Sequence, residues 1–221
     1  LFLQDHFGLS PFPEVTVALS HRPRCALPSY VSSLIEAFAP RYSLVHGVAL
    51  ASESFCRFAL ASHSSEVMIS PHQLHWLHRR CRDELHAPLK PWRRVLISRQ
   101  RSCRRRCLNE DQLLAALSPY GFERYCLEDL DVTQQLRLFS ESVLLVGVHG
   151  AGFSNLVACT SHTAVVELLP RPGAFSHYYV MADVLGIRHG HLLSSRCDVQ
   201  TDDFTIPPAD LMDLLREMAL L

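Results

Sequence analysis

The feature that most constrains this chain is a run of seven residues over 142–148, SVLLVGV, that carries no charge and passes straight into HGAGFSN over 149–155. A near-continuous apolar run of this kind reads as a strand buried on both faces of a parallel sheet. The glycines behind it mark a turn from strand into helix. At the carboxyl end of a central parallel strand, such a turn is also where open α/β sheets bind ligands. Gly150 and Gly152 are expected to let the backbone turn and approach a ligand closely, while the amides from Ala151 to Ser154 point at an anion from a helix N-terminus. Spacing alone fits a tight turn without a ligand equally well.

The surrounding pattern agrees with an α/β fold whose C-terminal half is Rossmann-like. Strands are expected over 93–98, 122–128, 142–148, 163–169 and 187–193. Helices are expected over 109–117, 133–141, 152–159 and 176–185, with an amphipathic one in the terminal PPADLMDLLREMALL. Asn109 reads as the N-cap of the first, with Glu110 and Asp111 in its positive first turn. The first 90 residues are less regular, with strands over 15–20 and 66–70, a helix over 32–38 and a long helix from Pro71 to Leu85. The prolines around Leu89 and Lys90 suggest a boundary, giving a partial N-terminal α/β lobe over 1–90 and a second lobe over 91–221. With 48% hydrophobic residues in 221, the chain holds enough apolar material for one sizeable core or two small ones.

Charge is distributed unevenly. The formal net charge is −1, yet the segment 93–106 carries seven arginines and no acid, which leaves about −8 for the rest. A charge run is usually a solvated face, but Arg99 and its neighbours leave the carboxyl end of a strand on the edge that carries the glycine loop. There guanidinium groups can clamp a diphosphate. A nucleic-acid surface fits less well, because interleaved aromatics are absent and the basic stretch is confined to one loop. Glu167 ends the next strand, in VVELLP, and is expected to reach the same cleft and accept hydrogen bonds from ribose hydroxyls, a solvated strand-end acid being the plainer reading.

Several classes are disfavoured. The longest uncharged run, over 142–166, holds glycines, an asparagine and two histidines, the wrong composition for a lipid-spanning helix. Eight scattered cysteines in a chain of this size read as free, mostly buried thiols. The two asparagines, Asn109 and Asn155, lie outside any N-x-S/T acceptor. An esterase using HGAG as an oxyanion hole would need G-x-S-x-G, which the chain lacks. Asp129 and Asp131 spell D-x-D but sit where aspartates cap helices. His72, His75 and His78, three apart on a helix, read as a half-exposed face before they read as a zinc site. Cys103 and Cys107 read as plain thiols.

Taken together, the ISR strand end, the RRCLNE element, the QQLRLF helix, HGAGFSN and VVELLP resemble glycosyltransferase family 61. The shared positions are Ser98 and Arg99; Arg105 with Asn109 and Glu110; Gln135 with Leu138 and Phe139; His149, Gly150, Ala151, Gly152, Ser154 and Asn155; and Glu167 with Pro170. The resemblance is close over 91–193 and loose over the first 90 residues. It implies a GT-B-like pair of facing lobes, a sugar nucleotide held by the C-terminal one, and inversion at the anomeric carbon. By that resemblance Ser98, Arg99, Arg105, Asn109, His149, Gly150, Ala151, Gly152, Ser154, Asn155 and Glu167 bind the nucleotide sugar. Such transfer needs positive charge where the diphosphate departs and a base near the acceptor hydroxyl. Arginines and loop amides supply the first; the residues quoted single out no base. The expected partners are a UDP-linked sugar and a glycan or polysaccharide acceptor, with no nucleic acid, no cofactor and no metal. The expected setting is the bacterial cytoplasm and surface-polysaccharide or capsule synthesis, or the ER/Golgi lumen if the chain is a piece of a eukaryotic enzyme. A piece of a longer protein is what the missing acceptor-lobe sequence suggests, and donor binding without turnover is the alternative that follows.

Overall fold

The computed structural model describes residues 15–19, 42–46, 71–171 and 177–221. The expected elements over 32–38 and 66–70 lie outside them, as do Cys25 and Cys56. The chain divides into two units, residues 1–63 and 64–221. In the first, β1 (Val15–Leu19) pairs in parallel with β2 (Tyr42–His46).

The second unit begins upstream of the proline pair expected as the boundary. Its first helix, α1 (Pro71–Leu85), packs against helices that come later in the same unit. His78 Nδ1 lies 2.8 Å from the Val157 carbonyl, and Arg82 donates to the carbonyls of Ala158 and Pro88 at 3.2 and 2.9 Å. His78 is thus engaged by the core, and among the described residues no three His, Cys, Asp or Glu side chains are grouped to hold a metal ion.

The remaining elements alternate: β3 (Arg93–Ser98), α2 (Glu110–Leu117), β4 (Phe122–Cys126), α3 (Val132–Ser140), β5 (Ser142–Val148), a 3-10 helix (Ala151–Ala158), β6 (Ala164–Leu169), α4 (His177–Leu185), β7 (Arg188–Leu193) and α5 (Pro208–Glu217). The five strands form one parallel sheet in the order β4-β3-β5-β6-β7. The chain moves outward one way from β3 to β4 and the other way from β5 to β7, so the order reverses between β3 and β5. That reversal is the topological switch point of a doubly wound sheet.

Strand alternation divides the core. Leu96, Leu144, Val146, Val148, Val166 and Leu168 face a layer that includes Leu113 and Leu117 of α2 and Leu211 and Leu215 of α5. The opposite face carries α1, α3, α4 and the 3-10 helix, which pack on one another. β5 is buried on both sides, as its composition requires, and so is its neighbour β6.

Several ends differ from expectation for visible reasons. β4 stops at Cys126 instead of 128, because the chain folds into a 3-10 turn (Leu127–Asp129) held by Gln135 Nε2, which donates to the carbonyls of Leu127 and Leu130 at 2.9 and 3.1 Å. α3 starts one residue early on a capping box, in which Asp131 accepts from the Gln134 amide and the Gln134 side chain accepts from the Asp131 amide. Asp129 pairs with Arg101. Asn109 occupies the N-cap position of α2 without a side-chain cap bond; its amide is used elsewhere.

A β-carbon on Gly147 of β5 would sit 2.9 Å from Ile97 Cβ and 3.3 Å from the Ile97 carbonyl oxygen. The missing side chain therefore lets β3 and β5 close on that face. Gly147→Val is expected to overpack this seam and cost about 1–3 kcal/mol, measured as a lower urea midpoint with unchanged slope.

Candidate anion site at the strand switch point

Ser98 and Val148 end adjacent strands, so the loop after β3 and the glycine loop after β5 emerge side by side at the switch point. The arginine run starts in β3 with Arg93 and Arg94 and continues into the loop after it, and its side chains sort into two groups. Arg93 pairs with Glu141 at 2.7 Å and Glu123 at 3.3 Å, Arg104 with Asp202 at 3.3 Å, Arg106 with Asp203 at 2.6 Å, and Arg101 with Asp129. Arg94 donates to the Tyr120 carbonyl at 3.0 Å. Among the described residues, Arg99 and Arg105 pair with no carboxylate.

Arg99 is half-buried. One guanidinium nitrogen donates to Ser102 Oγ at 2.9 Å, while its Nε is buried without a hydrogen-bond partner among the described residues. Burial first, and then the nearby Arg105 charge, lower its pKa from the usual arginine value; Glu128 and Tyr178 oppose them. Two like charges held together in a half-desolvated position are costly unless an anion joins them. Arg105 is placed by its backbone, which adopts the left-handed conformation (φ 56°) and donates its amide to the Thr201 carbonyl at 2.8 Å.

A strap formed by residues 198–206 fixes the arginine loop. The Phe204 amide donates to the Arg106 carbonyl at 3.0 Å, the Leu108 amide to the Phe204 carbonyl at 2.7 Å, and the Arg106 amide to Asp203 Oδ1 at 2.8 Å. Asn109 completes the seam, donating to the Ile206 carbonyl at 2.8 Å and accepting from the Ile206 amide at 3.1 Å. The side chain expected to touch the ligand is thus a two-bond clasp between loop and strap.

The glycines serve the protein's own side chains. A β-carbon on Gly150 would collide with the Arg99 guanidinium, and one on Gly152 would lie 2.5 Å from Leu127 Cδ1. The space expected for a ligand at Gly150 is therefore filled by Arg99. In the 3-10 helix the first backbone bond runs from the Phe153 amide to the Gly150 carbonyl at 3.0 Å, so the amides of Ala151 and Gly152 precede the first helical donor and have no partner within the helix. Ala151 and Ser154 are exposed beside them. Asn155 donates instead to Gln135 Oε1 at 3.0 Å, bracing the helix against α3.

Ser98 and Glu110 lie beneath the loop, each 2% exposed. Glu110 accepts from the Arg99 amide at 3.4 Å and interacts with the Ser98 hydroxyl. Its other oxygen has Arg124 at 3.6 Å, an ion pair beyond hydrogen-bond range. Burial pushes this carboxyl above its ordinary value, against Ser98, the Arg99 amide and Arg124. Glu167 is likewise buried, not solvated: Oε1 lies 2.5 Å from His149 Nδ1 and Oε2 lies 3.1 Å from His189 Nε2. Burial alone would raise its pKa, but the two imidazole contacts together outweigh burial and hold it below the ordinary carboxylate value.

Sequence reasoning missed Tyr178 and His177, at the start of α4, and His189 on β7. The His149 ring lies 5.2 Å from the Tyr178 ring and 5.6 Å from His177. Burial raises the Tyr178 pKa, Ser154 hydrogen-bonds its hydroxyl, and the Arg99 and Arg105 charges act on it. This phenol therefore stands between the two unpaired arginines and the glycine loop. The available signal was HYY at a helix start opposite a strand-end glutamate.

The fold and site define an open parallel α/β unit with a basic, amide-lined mouth at its switch point, the form that binds phosphate-bearing ligands. Residues 14–166, well over half the chain, match the family described as Glycosyltransferase 61, and the chain belongs to that family. The match also takes in most of the N-terminal segment that resembled the family only loosely. Among curated proteins, the chain is 35% identical over 90 residues to the EGF domain-specific O-linked N-acetylglucosamine transferase of Drosophila melanogaster, covering 38% of this chain and 17% of that protein. It is 29% identical over 108 residues to alpha-1,3-arabinosyltransferase XAT3 of Oryza sativa subsp. japonica, covering 46% of this chain and 18% of that protein. The aligned segment is thus under a fifth of either relative. No described helix is long and apolar enough to cross a membrane.

Arg106 holds the Asp203 carboxyl below its usual value of 3.8. A carboxyl depressed in the folded state adds stability that is present above the unfolded pKa and lost as pH falls through the folded one. Asp203→Asn is therefore expected to lower the urea midpoint at pH 7, and the gap from the unaltered chain should close as pH falls below about 3.8.

Proposed function

We propose that this chain binds the donor of an inverting glycosyltransferase: a nucleoside diphosphate sugar, UDP-linked, whose sugar passes to a hydroxyl of a glycan or polysaccharide. The observation that carries the reading is the pair Arg99 and Arg105, left without carboxylates beside the amides of Ala151 and Gly152 at the switch point. Family membership supports the reaction class. As the bond to the anomeric carbon breaks, charge accumulates on the departing diphosphate. Guanidinium groups and oriented amides stabilise that charge more in the transition state than in the ground state. Arg99, Arg105, His149, the 150–152 backbone and Ser154 form the contact set in this reading. Ser98, Asn109, Asn155 and Glu167 hold that set in place.

In this proposal the segment 91–221, with α1 packed on it, belongs to the donor lobe of a two-lobed, GT-B-like enzyme, and the residues of the first unit supply part of the acceptor side. Donor binding needs no metal, since the arginines provide the positive charge. Both relatives are eukaryotic, which favours the lumenal setting over the bacterial cytoplasm and capsule synthesis. A second reading, binding without turnover by this chain alone, is favoured by the short span it shares with either relative.

Calorimetric titration with UDP, with and without magnesium, tests the reading. Micromolar binding that does not depend on magnesium is expected. Arg99→Ala and Arg105→Ala should each weaken it by about 1.5–3 kcal/mol. Arg101→Ala, which removes an exposed ion pair with Asp129, should change it by less than about 0.5 kcal/mol. Equal losses in all three variants would mean a diffuse basic surface, and no UDP binding by the folded chain would sink the donor assignment.

A further inference from the structure

Glu167 is enclosed by two imidazoles, one on each carboxylate oxygen, and the three side chains are 6% exposed or less. An ionised carboxylate can only accept hydrogen bonds, so each nitrogen facing it must carry a proton. His149 is therefore Nδ1–H at this contact, and His189 is Nε2–H. The other nitrogen of His189, Nδ1, is buried without a hydrogen-bond partner among the described residues. An unmet lone pair is tolerated there more cheaply than an unmet N–H would be, which agrees with the same His189 tautomer. The lowered pKa of Glu167 is consistent with the ionised form.

We propose that Glu167 is a positioning residue that locks the tautomers of His149 and His189, and so fixes the nitrogen and ring orientation with which His149 meets the arginine and glycine-loop site. With Nδ1 committed to Glu167, Nε2 lies on the opposite edge of the His149 ring. Its ring lies against His177 and Tyr178 of α4, and Tyr178 in turn neighbours Ser154, Arg99 and Arg105. On the far side His189 is met edge-on by Tyr179, with His191 at 6.3 Å on the same strand. The acid at the end of β6 thus acts on the site through a histidine instead of touching a ribose. The link to ligand affinity rests on the nucleotide reading above; the tautomer assignment does not.

Glu167→Gln discriminates, because an amide accepts through one atom and donates through the other. It cannot accept from both rings, so one imidazole must switch tautomer or lose its bond. A long-range proton–nitrogen correlation spectrum of the 221-residue chain, labelled with 15N-histidine and free of nucleotide, reads the tautomers directly. His149→Asn and His189→Asn assign the two signals. The expected result is Nδ1–H for His149 and Nε2–H for His189, with one of the two altered in Glu167→Gln and UDP affinity reduced at least about tenfold. Wild-type His149 protonated only at Nε2, both tautomers unchanged in folded Glu167→Gln, or a switched tautomer with unchanged UDP affinity would each overturn the proposal. Should Glu167→Gln fail to fold, the wild-type tautomers decide it. Absence of UDP binding by the unaltered chain would count against the donor reading alone, leaving the tautomers as the test here.

Discussion

The pairing of β3 with β5 governs where charge can collect in this molecule. Their parallel register sets Ile97 beside Gly147, and the absent side chain at Gly147 lets the strands close tightly on that face. Because the sheet order reverses here, the two chains diverge as soon as they leave the strands, one into the arginine loop and the other into the glycine turn. A crevice at this point follows from the winding alone. What the sequence adds is a selective distribution of counter-charge: Asp129, Asp202, Asp203, Glu123 and Glu141 neutralise Arg93, Arg101, Arg104 and Arg106 and, among the described residues, leave Arg99 and Arg105 without an acid.

Two carboxylates near the crevice are turned inward. Glu110 is spent on the Ser98 and Arg99 end of β3, and Glu167 on two imidazoles. Each is buried and each takes its hydrogen bonds from the protein. Had either carboxylate reached Arg99 or Arg105, the positive charge at the mouth would be quenched. Orienting an acid toward a supporting bond keeps it close to the site without letting it compete with an incoming anion.

The sheet was readable because parallel strands buried on both faces leave uninterrupted apolar runs, and 142–148 is the clearest of them. Arg99 and Arg105 were readable as motif positions within a run of seven, but nothing in the run marks them as the two beyond β3 that lack acids. Their difference depends on Asp202 and Asp203, about a hundred positions away in sequence, and long-range pairing leaves no local periodicity. The same limit explains Asn109. Its place before a helix with acids in the first turn is a capping pattern, whereas its partner, Ile206, is reached only when the strap folds back. The glycines of the loop signalled close approach correctly as a steric matter. The approaching groups are Arg99 and Leu127, which a reading of spacing cannot name.

The family match ends at residue 166, one position before Glu167. Tyr178, His189, Asp203 and Ile206 all lie beyond that limit, yet one stands in the mouth, one grips Glu167 and two anchor the arginine loop. The matched segment therefore carries the glycine turn and both unpaired arginines, while the parts that anchor them belong to the stretch outside the match. A change in that later stretch would alter the spacing of the two loops while leaving the loops themselves intact.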